Sequence, residues 1–349
     1  MEAPGAGSRL DSGSAGSLSR TRGLRRLVLP VLSVIIGAAV FAAFAPALSA
    51  GFVYWDDDKN FLENAGWRGL SFEHLRWMAT TFHGGPYQPL SWLSLGVDHA
   101  LFGMNPQAMH ATNLALHAAT AIAFFFLARR ILALAAPGVA GEVAAFSAAL
   151  CFAVHPLRVE SVAWITERRD VLSGLFYVLA ALAYLHAAAE DRGRRRTILL
   201  ATSLFAFLLG LLAKASGIAL PLAFVLLDRW PLRRSWRESL VEKIPFALLA
   251  VPFAVLAVLG QASVPHELRA LGEHGLAERL AQAAYAAVFY ATKTLVPVRL
   301  SPIYEFPASI DPLALRFAGA AIVAVAVTGL LFALRRSVPA AWTAWAAFL

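Results

Sequence analysis

Cysteine and charged residues are both scarce in this sequence. The single cysteine, Cys151, stands in an apolar run, which excludes a disulfide framework and a cysteine-based metal site. Charged residues make up 15% of the 349 residues, whereas soluble domains contain about 25%. The sequence also has no glycine-rich phosphate loop, no Ser-His-Asp arrangement or nucleophile elbow, and no basic and aromatic pattern typical of nucleic-acid binding. These absences exclude several classes of soluble enzyme and predict no nucleic-acid partner.

Apolar residues dominate what is present. They make up 59% of the chain, and the mean hydropathy is +0.63. This composition predicts an all-α polytopic membrane protein embedded in a lipid bilayer. The net charge of +8 comes from arginines and lysines gathered between apolar segments, as cytoplasmic connections require.

The order of apolar and polar segments predicts the domain organisation. Residues 1–26 are rich in Gly, Ser and Ala with several arginines, which indicates a disordered, basic, cytoplasmic N-terminus. Residues 27–349 then form one transmembrane domain. Three of its parts are the first outer loop with amphipathic surface helices, an outer loop with an interfacial or re-entrant helix, and a truncated apolar segment, at 51–105, 262–312 and 338–349 respectively.

Three consecutive carboxylates, Asp56, Asp57 and Asp58, directly follow the first apolar segment. Adjacent carboxylates repel one another, so we expect a raised pKa or a nearby cation or donor. Such a group suits acid/base chemistry or a metal, and a divalent cation held by Asp56 and Asp57 is left open; no other cofactor is implied. The alternative is a polar loop that ends a helix.

Polar residues otherwise collect on the same outer side of the predicted topology. They lie in the stretch 155–170, at Lys214 and at Tyr304. Ionisable residues at a membrane edge are costly, so this convergence indicates a function. The Arg168 and Arg169 pair suits bidentate contacts with a phosphate or diphosphate, with Lys214 as an additional point charge. The alternative is a charge cluster at the start of a helix.

His110, Asn113 and His117 have helical spacing and share one face of a predicted span. Seven residues separate the two histidines, which is too far along a helix for one metal ion. Hydrogen bonds between helices are therefore favoured over a metal pair.

Together these parts suit transfer of a group from a lipid-linked phosphate donor. A carboxylate would deprotonate an acceptor hydroxyl or assist a metal, and the basic residues would neutralise the leaving lipid phosphate.

Several segments of the sequence resemble the bacterial relatives of the transmembrane and tetratricopeptide-repeat O-mannosyltransferases, within the GT-C-fold glycosyltransferases. The long block HPLRVESVAWITERRDVL at 155–172 is the most specific of them. The others are FVYWDDDKNFLEN at 52–64, YQPLSWLSLGVDHALFG at 87–103, HATNLALH at 110–117, LAKASGIALPLAFVLLDRWP at 212–231, EKIPF at 242–246, and residues 285–304. The resemblance covers roughly residues 50–305.

The resemblance implies a GT-C-like helix bundle and an inverting enzyme that is dependent on a dolichyl- or polyprenyl-phosphate sugar. The sugar would be mannose-like, and the acceptor a hydroxyl of a protein or glycan, at the outer face of a bacterial inner membrane. The sequence departs from the residue pattern of this family at two places, Gln88 and the pair Lys214-Ala215. These departures predict an altered substrate or reduced activity. Tetratricopeptide repeats, which in such proteins would select the acceptor, are absent from this chain.

On this basis we assign Asp56 or Asp57 as the base and Arg168, Arg169 and Lys214 as ligands of the donor phosphate. The residues that line the site are His110, His155, Arg158, Glu160, Asp170 and Tyr304. Two other classes of function compete. The chain could be a non-catalytic membrane anchor for a C-terminal repeat region, or a transporter or flippase, although no related halves with paired helix breaks are visible.

Overall fold

The computed structural model describes residues 12–264, 275–304 and 309–349, with side chains from residue 28 onward. Within these ranges the chain is helical, and no strand occurs. The α-helices are α1 Ser12–Phe44, α2 Phe72–Thr80, α3 Pro89–Phe102, α4 Pro106–Ala135, α5 Val139–Ala153, α6 Val159–Ala163, α7 Arg168–Ala187, α8 Arg194–Ala213, α9 Leu220–Arg229, α10 Trp236–Ala262, α11 Leu276–Leu295, α12 Leu315–Ala333 and α13 Pro339–Phe348.

Six helices in the described part of the chain are long and apolar enough to cross a membrane. The number is seven if α5 and the segment Pro156–Ala163, which meet at a bend of 50°, form one span. This confirms the predicted all-α polytopic membrane protein. The six candidate spans are Val28–Ser49, Pro106–Ala135, Ile165–Ala187, Arg194–Ala213, Trp236–Ala262 and Leu315–Ala333.

The N-terminal segment and the outer loop predicted at 262–312 can be compared with the helices that the structure describes. The helix α1 begins at Ser12, so residues 12–26 are helical where disorder was expected, and residues 1–11 lie outside the described residues. The predicted interfacial or re-entrant segment is the helix α11, which is not among the candidate spans. Parts of the loop predicted at 262–312, namely 265–274 and 305–308, also lie outside the described residues.

Local signals explain where several helices begin. The N-cap Asn105 accepts a hydrogen bond from the Ala108 amide at the start of α4, and Pro106 follows it at the first helical position. Ser71 caps α2 in the same way by accepting from the His74 amide. Gly103, with a φ of +64°, ends α3 in a backbone conformation that favours glycine.

Two hydrophobic cores hold the bundle together. In the first, α5 presents Ala145, Ala149 and Ala153, all fully buried, against α1 and α4. Small residues at this spacing allow close helix packing within a membrane. The second core joins α7, α8, α9 and α10 through aromatic rings, and Tyr184 stacks on Phe224 with ring centroids 4.5 Å apart.

The first outer loop forms a third core of its own. Phe61, Trp67 and Trp92 are each at most 1% exposed and pack with Ile165, which lies just before α7. Met78 of α2 is also buried in this core. The loop is thereby fixed against the start of α7.

Candidate functional site

Asp57 attaches the acidic motif to the start of α7. Its carboxylate accepts hydrogen bonds from the Val53 amide at 3.0 Å, the Thr166 amide at 3.3 Å and the Thr166 hydroxyl at 2.7 Å. The residue is 1% exposed. Burial raises the pKa of Asp57 above its ordinary value, although the three hydrogen bonds oppose that rise. These contacts make Asp57 an anchor of the loop.

Asp56, by contrast, is half-buried, and its carboxylate forms no hydrogen bond or ion pair with the described residues. It lies within electrostatic range of the Arg169 guanidinium. A second hydrogen bond holds the same loop, since the side-chain amide of Asn60 donates to the Thr166 hydroxyl at 3.2 Å. Of the two predicted bases, Asp56 is therefore the carboxylate that is available to a ligand.

The basic residues of the site are already paired with carboxylates. Glu167 lies between two cations, with Nη2 of Arg169 at 2.5 Å from one oxygen and Nζ of Lys214 at 3.2 Å from the other. Lys214 also pairs with Asp170, whose second oxygen accepts from the Ser161 hydroxyl at 3.0 Å. We call Glu167, Arg169, Asp170 and Lys214 the Glu167 cluster.

The Glu167 cluster is partly open. The side chains of Arg169 and Lys214 retain 21% and 30% of their exposure. Glu160 is exposed and within electrostatic range of all four members of the cluster. An anion could reach both cations from solvent, but it would have to compete with Glu167 and Asp170 for them.

Arg168 occupies a different position from its neighbour. Its guanidinium is fully buried and donates to Asp98 at 2.7 Å, to Ser94 at 2.9 Å and to the carbonyl of Met109 at 2.8 Å. It also donates to the side-chain oxygen of Asn113. These contacts connect α3, α4 and α7, and they favour a positioning role for Arg168 over the predicted contact with phosphate.

His155 connects the bend after α5 to α11. Its Nδ1 accepts from the Leu157 amide at 3.2 Å, so the ring proton lies on Nε2, which is 3.0 Å from the carbonyl oxygen of Thr294. Arg158 lies over the Phe152 ring, 4.9 Å from its centroid, within electrostatic range of Asp170. Of these two residues, Arg158 is the one that interacts electrostatically with the Glu167 cluster, through Asp170.

Hydrogen bonds to neighbouring helices were predicted for all three polar residues on this face of α4, and two of them, Asn113 and His117, form such bonds. Nε2 of His117 lies 2.9 Å from the carbonyl oxygen of Ala153, and the Asn113 amide donates to the carbonyls of Val162 and Trp164 at 3.3 Å. His110 is buried, and its ring lies against the Gly51 main chain. It lies within electrostatic range of Asp57 and Arg168.

Tyr304 lies with α11. Its ring packs on Phe289 with centroids 4.8 Å apart, and its hydroxyl accepts from the Ser301 amide at 3.0 Å. In the ranges described, no contact joins Tyr304 to the Glu167 cluster. The same ranges contain no group of three or more His, Cys, Asp or Glu residues placed to hold a metal ion.

A second ionic network, at the opposite end of α7, was not predicted. We call Tyr184, Asp228, Arg234, Ser239, Glu242 and Lys243 the Asp228 cluster. Asp228 is fully buried and accepts from the hydroxyls of Tyr184 and Ser239, each at 2.7 Å, and from Arg234 and Lys243. The only sequence signals were the charged motifs at 228–234 and 242–243, which were interpreted as part of cytoplasmic connections and of the resemblance.

The fold and the site together describe a polytopic helical membrane protein with a partly open ionic cluster at one end of its bundle. Its sequence is similar to proteins of the transmembrane O-mannosyltransferase family. It is 31% identical over 163 residues to the mouse protein named protein O-mannosyl-transferase TMTC2 and 34% identical over 155 residues to the fruit-fly protein O-mannosyl-transferase Tmtc1. It is 26% identical over 198 residues to human protein O-mannosyl-transferase TMTC3.

These similarities cover 44%, 42% and 54% of this chain, respectively, and 18%, 17% and 20% of the relatives. The chain thus spans at most about a fifth of the length of these curated relatives. No family model and no solved structure matches the sequence. The predicted GT-C fold therefore stays a prediction.

Proposed function

We propose that this protein is a membrane glycosyltransferase that moves a mannose-like sugar from a polyprenyl-phosphate donor to a hydroxyl group of a protein or glycan. The observation that carries the proposal is the hydrogen bonding of Asp57 to Thr166. Through it Asp56, whose carboxylate has no partner among the described residues, comes within electrostatic range of Arg169 in a partly open cluster. The names of the similar proteins support the class of reaction.

The chemistry follows from the opposite charges of the two parts. The Asp56 carboxylate accepts the proton of the acceptor hydroxyl while that oxygen attacks the anomeric carbon of the sugar. The bond between the anomeric carbon and the phosphate oxygen breaks, and polyprenyl phosphate leaves with the electron pair. Arg169 and Lys214 neutralise the negative charge on the leaving phosphate.

The remaining predicted residues shape this site. Asp57 and Arg168 hold the loop and the start of α7 in place, and Asp170 and Glu160 balance the charge of Lys214. The distribution of arginine and lysine supports an extracytoplasmic position for this end of the bundle, with the lipid tail of the donor remaining in the bilayer.

The test is transfer of mannose from dolichyl phosphate mannose by the natural full-length protein, with product measured by mass. Asp56→Asn should lower kcat by roughly 10²- to 10⁴-fold, the contribution of a general base. Arg169→Gln and Lys214→Gln should weaken binding of dolichyl phosphate. Undiminished transfer by Asp56→Asn, Asp57→Asn and the double variant would refute the assignment of the base.

The anchor hypothesis makes the opposite prediction. A membrane anchor that presents a partner should tolerate substitution at Asp56, Arg169 and Lys214 without loss of any activity of the full-length protein. The same set of variants therefore separates the two functions. Arg129→Gln, which removes a half-exposed ion pair with Glu142 at the other end of α4, is a matched control that should leave transfer unchanged.

A further inference from the structure

Lys214 occupies a break between two helices. The helix α8 ends at Ala213, the next helical turn begins at Ala215, and Lys214 itself is extended with φ −159° and ψ 128°. A residue in a helix break is not held by the regular backbone hydrogen bonds of a helix interior. The position of the Lys214 ammonium therefore depends on whatever fixes its main chain.

Two side chains from neighbouring helices supply that fixation. The Ser91 hydroxyl of α3 donates to the carbonyl of Ala213 at 2.9 Å. The Tyr177 hydroxyl of α7 donates to the carbonyl of Lys214 itself. Both carbonyls lie where α8 ends, so these two bonds take the place of the missing helical partners.

The Tyr177 ring fits between two glycines on either side of the break. A Cβ at Gly210 would lie 2.3 Å from Cε1 of Tyr177, and a Cβ at Gly217 would lie 2.2 Å from its Cζ. Real Cβ atoms do not approach other atoms this closely, so only glycine leaves room for the ring at these positions. The ring is thereby held in one place, and its hydroxyl is directed to the Lys214 carbonyl.

Asp170 and Tyr177 are seven residues apart on α7, which is about two turns and places them on the same face. Asp170 pairs with the ammonium of Lys214, whereas Tyr177 binds its main-chain carbonyl. One face of α7 therefore contacts both the side-chain ammonium and the main-chain carbonyl of Lys214.

We infer that Tyr177 is a positioning residue that, from between Gly210 and Gly217, fixes the main chain of Lys214 and so sets where its ammonium meets the phosphate of the donor. The inference rests on the proposed function for the role of Lys214 toward phosphate, but its geometric part can be tested without it.

The test uses acetylation of lysine amines with an N-hydroxysuccinimide ester on the full-length protein, followed peptide by peptide by mass spectrometry. Tyr177→Phe keeps the ring between the glycines and removes only the hydroxyl. Loss of this one neutral hydrogen bond should raise the acetylation rate of Lys214 by a factor of about 2 to 10. Lys293, on α11, is the internal reference and should not change.

Two variants calibrate this measurement. Asp170→Asn removes a direct partner of Lys214 and should raise the rate as well. Tyr184→Phe removes a hydroxyl from the same helix in the Asp228 cluster, and should leave Lys214 unchanged. An unchanged rate in Tyr177→Phe, with a raised rate in Asp170→Asn, would overturn the inference.

Kinetics with dolichyl phosphate mannose then separate the inference from the proposed function. Tyr177→Phe should raise KM for the donor more than it lowers kcat, because the lysine binds the phosphate in both ground and transition states. If Tyr177→Phe raises the acetylation rate but neither the wild type nor any variant transfers sugar, the positioning role is supported and the proposed function is refuted. A raised rate with an unchanged KM and kcat would overturn the link between Tyr177 and the donor.

Discussion

The helix α7 has an ionic cluster at each end, and the two differ in how completely their charges are paired. In the Asp228 cluster the central carboxylate is fully buried and bonded to two hydroxyls and two cations, and Arg234 is further paired with Glu242 at 2.7 Å. In the Glu167 cluster the cations remain partly exposed. Asp56 and Glu160 stand near them without a bonded partner in the described ranges.

This difference indicates different roles. A buried network whose members are all satisfied fixes the packing of helices, and it is strongly destabilised when one partner is removed. A partly open cluster with further carboxylates beside it contributes less to stability but leaves groups available for a ligand. We therefore expect substitutions in the Asp228 cluster to affect mainly stability, and those in the Glu167 cluster to affect mainly binding and transfer.

The largest effect that tests this comparison is expected at Lys243. Lys243→Met leaves Asp228 with a buried negative charge that has lost one of its two cations, so the free energy of unfolding should fall by about 3 to 5 kcal/mol. Lys214→Met in the partly open cluster should cost less than about 1 kcal/mol. Both values can be measured by denaturant unfolding in detergent micelles.

Equal losses of stability in these two methionine variants would contradict the comparison. So would a loss of sugar transfer in Lys243→Met at a temperature where that variant remains folded. The two lysines make a matched pair, since each bonds to an aspartate, and Lys214 differs mainly in its exposure.

A second, smaller effect separates the adjacent residues Arg168 and Arg169. Arg168→Lys keeps the charge but loses the planar fork, and it leaves Asn113 or Ser94 without a donor in a buried site. This should lower the free energy of unfolding by about 1 to 3 kcal/mol. Arg169→Lys, at a partly exposed position, should change stability by less than about 0.5 kcal/mol and weaken binding of dolichyl phosphate.

The reverse order, with Arg169→Lys the less stable variant, would show that Arg169 is the structural member of the pair. Unfolding and phosphate binding should be measured on the same preparations. A decrease in binding that merely follows a loss of folded protein can then be recognised.

The sequence predicted the class of fold, because hydropathy depends only on local composition. It could not distinguish Arg168 from Arg169. Neighbours on a helix point about 100° apart, and which of them faces the core depends on Asp98 and Asn113, which lie at least 55 residues away in the chain.

A further feature was missed for the same reason. The Asp228 cluster looked like an ordinary charged connection, since burial of its charges follows only from the packing of α7, α9 and α10.

The smallest effect concerns the pH dependence of stability, which should have opposite signs for the two aspartates outside the spans. Burial raises the pKa of Asp57 above its ordinary value of 3.8. Just above that pH the folded protein binds more protons than the unfolded chain, so its stability falls as the pH rises through the raised pKa.

Asp228 behaves in the reverse manner. Burial would raise its pKa, but hydrogen bonds from Lys243, Tyr184 and Ser239 outweigh burial and lower the pKa below 3.8. Below that pH the unfolded chain binds more protons, so the stability that Asp228 contributes is lost as the pH falls through the lowered pKa. Each contribution amounts to at most about 1.4 kcal/mol per unit of pKa shift.

Unfolding measured from about pH 3 to 6 in the wild type, Asp57→Asn and Asp228→Asn would resolve the two contributions. Asp57→Asn should remove the decline in stability above pH 3.8, and Asp228→Asn the decline below it. If Asp57→Asn instead removed a loss of stability on acidification, the Asp57 carboxylate would be stabilised in its ionised form, as Asp228 is. The start of α7 would then hold a second closed network, and the contrast between its two ends would rest on Asp56, Glu160 and the exposure of Arg169 and Lys214 alone.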